Sequence, residues 1–181
     1  MAEADEPAFA PVRNDDVSVT RTGEGFRIEV VMQTPVPLDV AWQVLTDFGQ
    51  MARFVQNLER SEIVAQNGNH LRVAQQGTAY YGPFSMAFAS VRDIELRPKR
   101  EILARQLSGT ARAMESVMRL DPLPNGARGT RLAYRAEVVP EGVLPPLVGP
   151  AAIRGETAEQ FSAILVEMLR RDAARQAGAK R

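Results

Sequence analysis

The chain has 181 residues, of which 45% are hydrophobic and 24% are charged, and its 22 basic residues balance its 22 acidic ones. This composition is typical of one globular domain, and a net charge of zero argues against duplex nucleic acid or an anionic membrane as a partner. The sequence contains no Cys, which excludes disulfides, thiolate nucleophiles and Cys-ligated zinc, and no apolar run long enough to predict a transmembrane helix.

The two ends of the chain are polar. Residues 1–15 predict a flexible N-terminal tail, residues 16–175 a single domain, and residues 176–181 a second flexible tail. The start has neither a basic region nor an apolar core, so no signal peptide is predicted as written. Two interpretations stay open: a cytoplasmic protein with an acidic tail, or the mature form of an exported, periplasmic protein carrying an added initiator Met.

Most of the body of the chain is predicted to form β-strands. Residues 17–21 are a short candidate strand, and residues 26–32 alternate apolar and polar side chains as a half-buried strand does. Two short helical segments are predicted over residues 38–46 and 48–54. Six further strands are predicted over residues 58–66, 69–78, 84–96, 100–108, 111–121 and 130–139.

Turn residues between these strands predict how the strands pair. A two-residue turn at Pro98-Lys99 sets Arg92 opposite Arg105 on the neighbouring strand. The other predicted turns are Asn67-Gly68, Gly109-Thr110 and a longer loop after Leu120, which together set Ile94 opposite Leu103, Leu103 opposite Ser116, and Ser116 opposite Tyr134. With these pairings the apolar residues of all the strands fall on one face, which predicts a continuous antiparallel sheet.

The last long segment, residues 149–171, carries apolar side chains at the three-to-four spacing of one helical face. They are Ala152, Ile153, Phe161, Ile164, Leu165, Met168 and Leu169. A helix of this length spans roughly 35 Å at about 1.5 Å per residue. It needs a broad apolar surface to lie on, so the sequence predicts an α+β protein in which a curved sheet holds the helix.

Two stretches carry a family resemblance. VPLDVAWQVLTDFGQMARFVQNLERSEIV and GTRLAYRAEVVP resemble the opening and the end of START/Bet v 1-like (SRPBCC) proteins, in the polyketide cyclase/dehydrase and lipid-transport branch. The resemblance covers residues 17–172 and implies a helix-grip fold: a curved seven-stranded antiparallel sheet wrapped around a long C-terminal helix, with two short helices after the first strand. Gln56 stands where the coenzyme Q-binding branch often has Pro, so that branch is not supported.

The resemblance implies a hollow between sheet and helix that holds an apolar small molecule. The expected lining consists of Phe54, Tyr81, Phe84, Met86, Phe88, Ser90, Arg92, Leu103, Arg105, Met114, Ser116, Met118, Leu132, Tyr134, Phe161, Ile164, Leu165 and Met168. Arg92 and Arg105 are expected to hold a carboxylate, phosphate or enolate group of the ligand. The alternative is that both reach water or pair with an acid of the helix, such as Glu156.

No constellation for catalysis is evident. His70, the single His, is predicted to be exposed, and the sequence predicts no catalytic residue, metal or nucleotide cofactor. The leading hypothesis is a binding or carrier protein for a lipid, isoprenoid, quinone or polyketide. One alternative is a cyclase or dehydratase that uses Arg92, Arg105 or Tyr134. A second alternative is transient docking of a protein or membrane at an apolar mouth around Leu144 and Leu147.

Overall fold

The computed structural model of the protein describes residues 10–142, 144 and 148–180. Within these residues, one antiparallel sheet with the strand order β1-β2-β8-β7-β6-β5-β4-β3 packs against a long C-terminal helix. The strands are β1 (Val17–Thr22), β2 (Gly25–Thr34), β3 (Leu58–Asn67), β4 (His70–Tyr81), β5 (Phe84–Arg97), β6 (Glu101–Gly109), β7 (Ala111–Pro122) and β8 (Thr130–Pro140). The helices are α1 (Leu38–Thr46) and α2 (Pro150–Ala179), with short 3-10 segments at Asn14–Asp16, Phe48–Arg53 and Pro124–Gly126.

This arrangement confirms the helix-grip fold, with eight strands in the described sheet where seven were predicted. The additional strand is β1, the short candidate over residues 17–21. It pairs with β2, and its inward-facing Val17 and Val19 are buried whereas Ser18 and Thr20 are exposed. This alternation of buried and exposed side chains fixes even a short edge strand to the sheet, because the side chains on one face of the strand pack into the core.

Helix α1 begins directly after Pro37, whose fixed φ suits the start of a helix. Its buried face of Val40, Ala41, Val44 and Leu45 joins the main core. The 3-10 segment that follows was predicted as a helical piece over residues 48–54. These two segments were placed correctly by their apolar spacing.

Helix α2 continues eight residues beyond its predicted end at residue 171, so most of the predicted C-terminal tail is helical. Ion pairs fasten the added turns to the rest of the domain: Asp172 pairs with Arg128 at 2.6 Å, and Arg175 pairs with Asp39. Among the described residues, neither α2 nor any other helix combines the length and the apolar character that crossing a bilayer requires.

The described part of the predicted N-terminal tail lies along α2. The backbone N–H of Val12 donates to Ser162 Oγ at 3.0 Å, and this hydroxyl is 3.4 Å from the Val12 carbonyl. Residues from 10 onward therefore contact the domain. Residues 1–9 lie outside the described residues, as do Val143, Pro145, Pro146 and Leu147 of the predicted apolar mouth.

The predicted register between β5 and β6 was wrong by one residue. The turn has three residues, because Arg97 pairs with Glu101 and not with Arg100. Lys99, in the middle of this turn, has a φ of +57°. This left-handed conformation is uncommon for Lys, so the sequence does not predict it. A one-residue shift moves every side chain of a strand to the opposite face.

The shift places Leu103 and Arg105 on the outer face of the sheet, where both had been predicted to face inward. Arg92 pairs with Gln106, not with Arg105, and Ala104 is the residue opposite Ser116. Two other registers also differ. The hairpin between β3 and β4 turns at residues 68–69, and Tyr134 pairs with Met118 in place of Ser116, a two-residue shift that keeps the predicted faces.

Candidate functional site

The inner face of the sheet is sealed at one end, which we call the closed end. This end lies near the β3–β4 and β5–β6 turns. Five of its inward side chains are less than 9% exposed: Leu71, Ile94, Ile102, Leu120 and Leu132. They form one buried cluster with Leu165 and Met168 of α2. The closed end is therefore an ordinary packed core.

The opposite end of the same face, which we call the open end, lies near the β4–β5 turn and the end of β8. Its inward side chains keep accessible surface: Phe84, Met86, Phe88, Ser90, Met114, Ser116 and Val138. Met86 is 37% exposed even though its partner across the strands, Ala79, is buried. Apolar side chains that point inward and stay accessible define a surface that a small apolar molecule can cover.

Arg92 lies between the two ends. On β5 it pairs with Val73, a fully buried residue of β4, so its side chain points to the inner face. Its Nη2 donates to Gln75 Oε1, and its buried Nε has no hydrogen-bond partner among the described residues. Burial lowers the pKa of Arg92, and the nearby Tyr134 opposes this shift. The structure thus holds a cation against an uncharged amide.

A chain of hydrogen bonds fixes Gln75 in turn. Gln75 Nε2 donates to Ser61 Oγ at 3.0 Å, and Ser61 Oγ donates to the Phe48 carbonyl at 2.5 Å. This relay orients the Gln75 carbonyl oxygen toward Arg92. Gln75 was not among the predicted lining residues, although its spacing of two from Val73 predicts that both side chains face the same side of the sheet.

Tyr134 lies beside this group. Its ring makes an edge contact with Phe161 of α2, with centroids 4.9 Å apart. Burial raises the pKa of Tyr134, while the charge of Arg92 and a hydrogen bond with Ser116 act in the other direction. The phenol is therefore neutral near neutral pH and is available as a hydrogen-bond donor.

Glu156 of α2 does not pair with Arg92. Its carboxylate accepts hydrogen bonds from Asn57, from Gln160 at 3.0 Å and from the backbone N–H of Tyr80 at 3.0 Å. Burial raises the pKa of Glu156, and burial together with this carboxylate raises the pKa of Tyr81. Glu156 thus ties α2 to the strand ends at β3 and β4.

The other predicted lining residues are distributed over both ends. Tyr81 is half-buried at the end of β4, while Met118, Leu132, Leu165 and Met168 belong to the packed core and Ile164 packs against it. The guanidinium carbon of Arg171 lies over the ring of Phe54, 5.7 Å from the ring centroid. The role of these residues in ligand contact stays a prediction.

The outer face also carries a groove, of about 810 Å³. Several charged side chains of opposite sign line it, and four of them form two ion pairs, Arg72 with Asp93 at 3.0 Å and Arg135 with Glu137 at 3.3 Å. His70 lies at its edge and is exposed, as predicted. Because charged side chains interrupt the apolar surface of this groove, the open end is the better candidate for an apolar ligand.

Fold and site together define a helix-grip protein with an accessible apolar inner face. Residues 34–161, more than half of the chain, match the family described as polyketide cyclase / dehydrase and lipid transport. The chain therefore belongs to this family, and it has the fold of the START/Bet v 1 superfamily. No significant match was found among curated proteins.

Solved structures agree on the fold. The Zhui aromatase/cyclase of Streptomyces sp. R1128 has 20% identity, with a TM-score of 0.67 over 80% of this chain and 94% of that one. A Thermus thermophilus protein has 15% identity and a TM-score of 0.65, over 79% of this chain and 97% of that one. A START superfamily protein of Mycobacterium smegmatis has 15% identity and a TM-score of 0.59, over 79% of this chain and 93% of that one.

Proposed function

We propose that the protein binds a hydrophobic small molecule, such as a lipid, isoprenoid, quinone or polyketide, at the open end and carries it without converting it. The observation that supports this most directly is the accessible apolar surface of the open end beside a sealed closed end. Covering apolar surface contributes about 25 cal/mol per Å². A ligand that fills the space against Met86 and Phe88 is therefore stabilised without any reaction.

The side chains of the open end suit ligands of variable shape. Met86 and Met114 are unbranched, flexible and polarisable, and they adapt to different apolar partners. Met118 and Met168, in contrast, are buried in the core, where they fill space. The lipid transport named in the family description is consistent with a carrier role.

Mass spectrometry of protein purified without detergent tests the proposal, first under native conditions and then after solvent extraction. We expect a stoichiometric apolar compound, and we expect Met86→Trp to displace it by filling the open end. Val31→Trp is the matched control, because Val31 is 52% exposed on the outer face. An apo protein, or a bound compound that both variants retain, would contradict the proposal.

A neutral fluorescent probe gives a second test. N-phenyl-1-naphthylamine becomes fluorescent in apolar surroundings and carries no charge. We expect it to bind wild-type protein and the Val31→Trp variant alike, and to bind Met86→Trp at least several-fold more weakly. Equal binding by all three proteins would place the probe elsewhere and remove the support for the open end.

A cyclase or dehydratase is the second candidate function. It is favoured by one observation: the neutral phenol of Tyr134 and the guanidinium of Arg92 interact on the same inner face. Such a pair can stabilise an enolate or deliver a proton. This candidate predicts that Tyr134→Phe abolishes turnover of a polyketide-type substrate and leaves the affinity for N-phenyl-1-naphthylamine unchanged. Absence of turnover by wild-type protein would exclude it.

A further inference from the structure

We propose that the hydrophobic ligand is a monocarboxylic acid, whose carboxylate pairs with Arg92 while its apolar body extends along the open end. This inference rests on the proposed function and specifies the ligand class. The site that carries it is the half-buried Arg92, whose buried Nε has no partner among the described residues.

Arg92 lacks the counter-ion that a buried cation requires. Within residues 10–142, 144 and 148–180, no carboxylate forms an ion pair with it, and its side-chain partner is the neutral amide of Gln75. Arg171, which is also partly buried, is paired with both Glu167 and Asp47. A buried cation without an anion is unfavourable, so an anionic ligand group would complete the site.

The polar groups on the same side of the sheet as Arg92 carry no negative charge. Tyr134 is a neutral phenol, and the hydroxyls of Ser90 and Ser116 face the same side of the sheet. Gln75 occupies one hydrogen of Nη2 and leaves Nε free. A guanidinium that is held in place and keeps Nε unpaired matches the two oxygens of a carboxylate.

The number of cations sets the charge of the ligand. Arg105 lies on the outer face, so Arg92 is the single inward cation between the two ends among the described residues. One guanidinium compensates one negative charge, which suits a carboxylate and not a dianionic phosphate. A second inward Arg, as the sequence had predicted, would have favoured the dianion.

The apolar body of the ligand has a path to solvent. Arg92 and Met86 are six residues apart on β5, which corresponds to about 20 Å of strand at roughly 3.3 Å per residue. Phe88, Ser90 and Met114 lie along this path and are all partly accessible or exposed. Dodecanoic acid is short enough to place its carboxylate at Arg92 and its chain along these side chains.

Competition against bound N-phenyl-1-naphthylamine tests the inference. Dodecanoic acid and 1-dodecanol are compared at neutral pH, where the acid is ionised. We expect the acid to displace the probe at a concentration about tenfold lower than the alcohol needs, or lower still. Arg92→Met should remove this preference while the probe still binds, since replacing a buried charge by an apolar side chain is tolerated in many cores.

Two further variants keep the test decisive. Gln75→Glu places a carboxylate beside Arg92, so it should also remove the preference for the acid. Arg105→Met, on the outer face of the neighbouring strand, should leave the preference intact. If acid and alcohol compete equally with wild-type protein, or if Arg92→Met and Gln75→Glu both keep the preference, the inference is wrong although the carrier function stands. If the probe does not bind at all, the proposed function itself fails.

Discussion

The closed and open ends of the inner face are built from the same strands and differ in how α2 covers them. At the closed end, Ile94 and Leu132 are 2% and 1% exposed and pack with Met168, whereas Met86 at the open end is 37% exposed. The helix is also held differently. Its C-terminal half makes ion pairs to Asp39, Asp47 and Arg128, while buried Glu156 holds its N-terminal half. We infer that stability resides at the closed end and binding at the open end.

The largest expected effect is at the closed end. Met168 is fully buried, so Met168→Ala removes packed atoms and leaves a cavity, which should lower the free energy of unfolding by about 2–5 kcal/mol. Urea unfolding followed by fluorescence of Trp42, the single Trp, measures this change. A loss below about 1 kcal/mol would mean that the closed end is not the stabilising region.

The ion pairs of α2 should give the next largest effect. Hydrogen bonds from Arg170 and Arg171 lower the pKa of Glu167 from 4.5 to about 2. A lowered pKa stabilises the fold above about pH 4.5, and this contribution is lost as the pH falls through about 2. Glu167→Gln should therefore cost about 1–2 kcal/mol at neutral pH and almost nothing at the acid end of that range.

Unfolding of the Glu167→Gln variant and the wild type over a pH series checks this prediction. Glu159→Gln serves as the control, because Glu159 is exposed on the same helix and forms no ion pair among the described side chains. A pH-independent difference between wild type and Glu167→Gln would show that the carboxylate charge is not the cause.

Glu156 at the open end should show the opposite pH dependence. Burial raises its pKa above 4.5, so its ionised form is less favourable in the folded state. The stability it contributes is present below about pH 4.5 and is lost as the pH rises through the raised pKa. Relative to wild type, Glu156→Gln should gain stability with rising pH by about 1 kcal/mol or less. Equal slopes for the Glu156 and Glu167 variants would contradict the contrast between the two halves of α2.

The smallest effect on stability is expected for Met86→Ala, the same chemical change as Met168→Ala but at the open end. Because Met86 is partly exposed, the free energy of unfolding should change by less than about 1 kcal/mol. The affinity for N-phenyl-1-naphthylamine should nevertheless fall about three- to tenfold, since apolar contacts with the probe are removed. A variant that loses stability and keeps its affinity would reverse the assignment of the two ends.

The sequence predicted most of the fold because helices and strands have different apolar periods. The start of α1, the strands from β2 onward and the apolar face of α2 all follow from that spacing. Register was less predictable, since the β5–β6 turn depends on whether Lys99 adopts a left-handed conformation. That single choice misplaced Leu103 and Arg105.

The polar part of the site was predicted incompletely. The inward position of Arg92, Ser116 and Tyr134 was predicted from the alternation along their strands, and that of Gln75 follows from the same alternation. Glu156 was considered only as a partner for the arginines, because its contacts with Asn57 and Tyr80 join segments far apart in the chain. Contacts of this kind depend on tertiary structure and leave no periodic signal.

The β5–β6 turn determines which side chains of β6 face the interior. The three-residue turn presents Ala104 and Gln106 to the interior, whereas a two-residue turn closing on Arg97 and Arg100 would present Leu103 and Arg105 instead. Pro98→Asn combined with Lys99→Gly favours the shorter turn. The charge of the inner face therefore depends partly on residues of a solvent-exposed turn, because the length of this turn decides which side chains of β6 face inward.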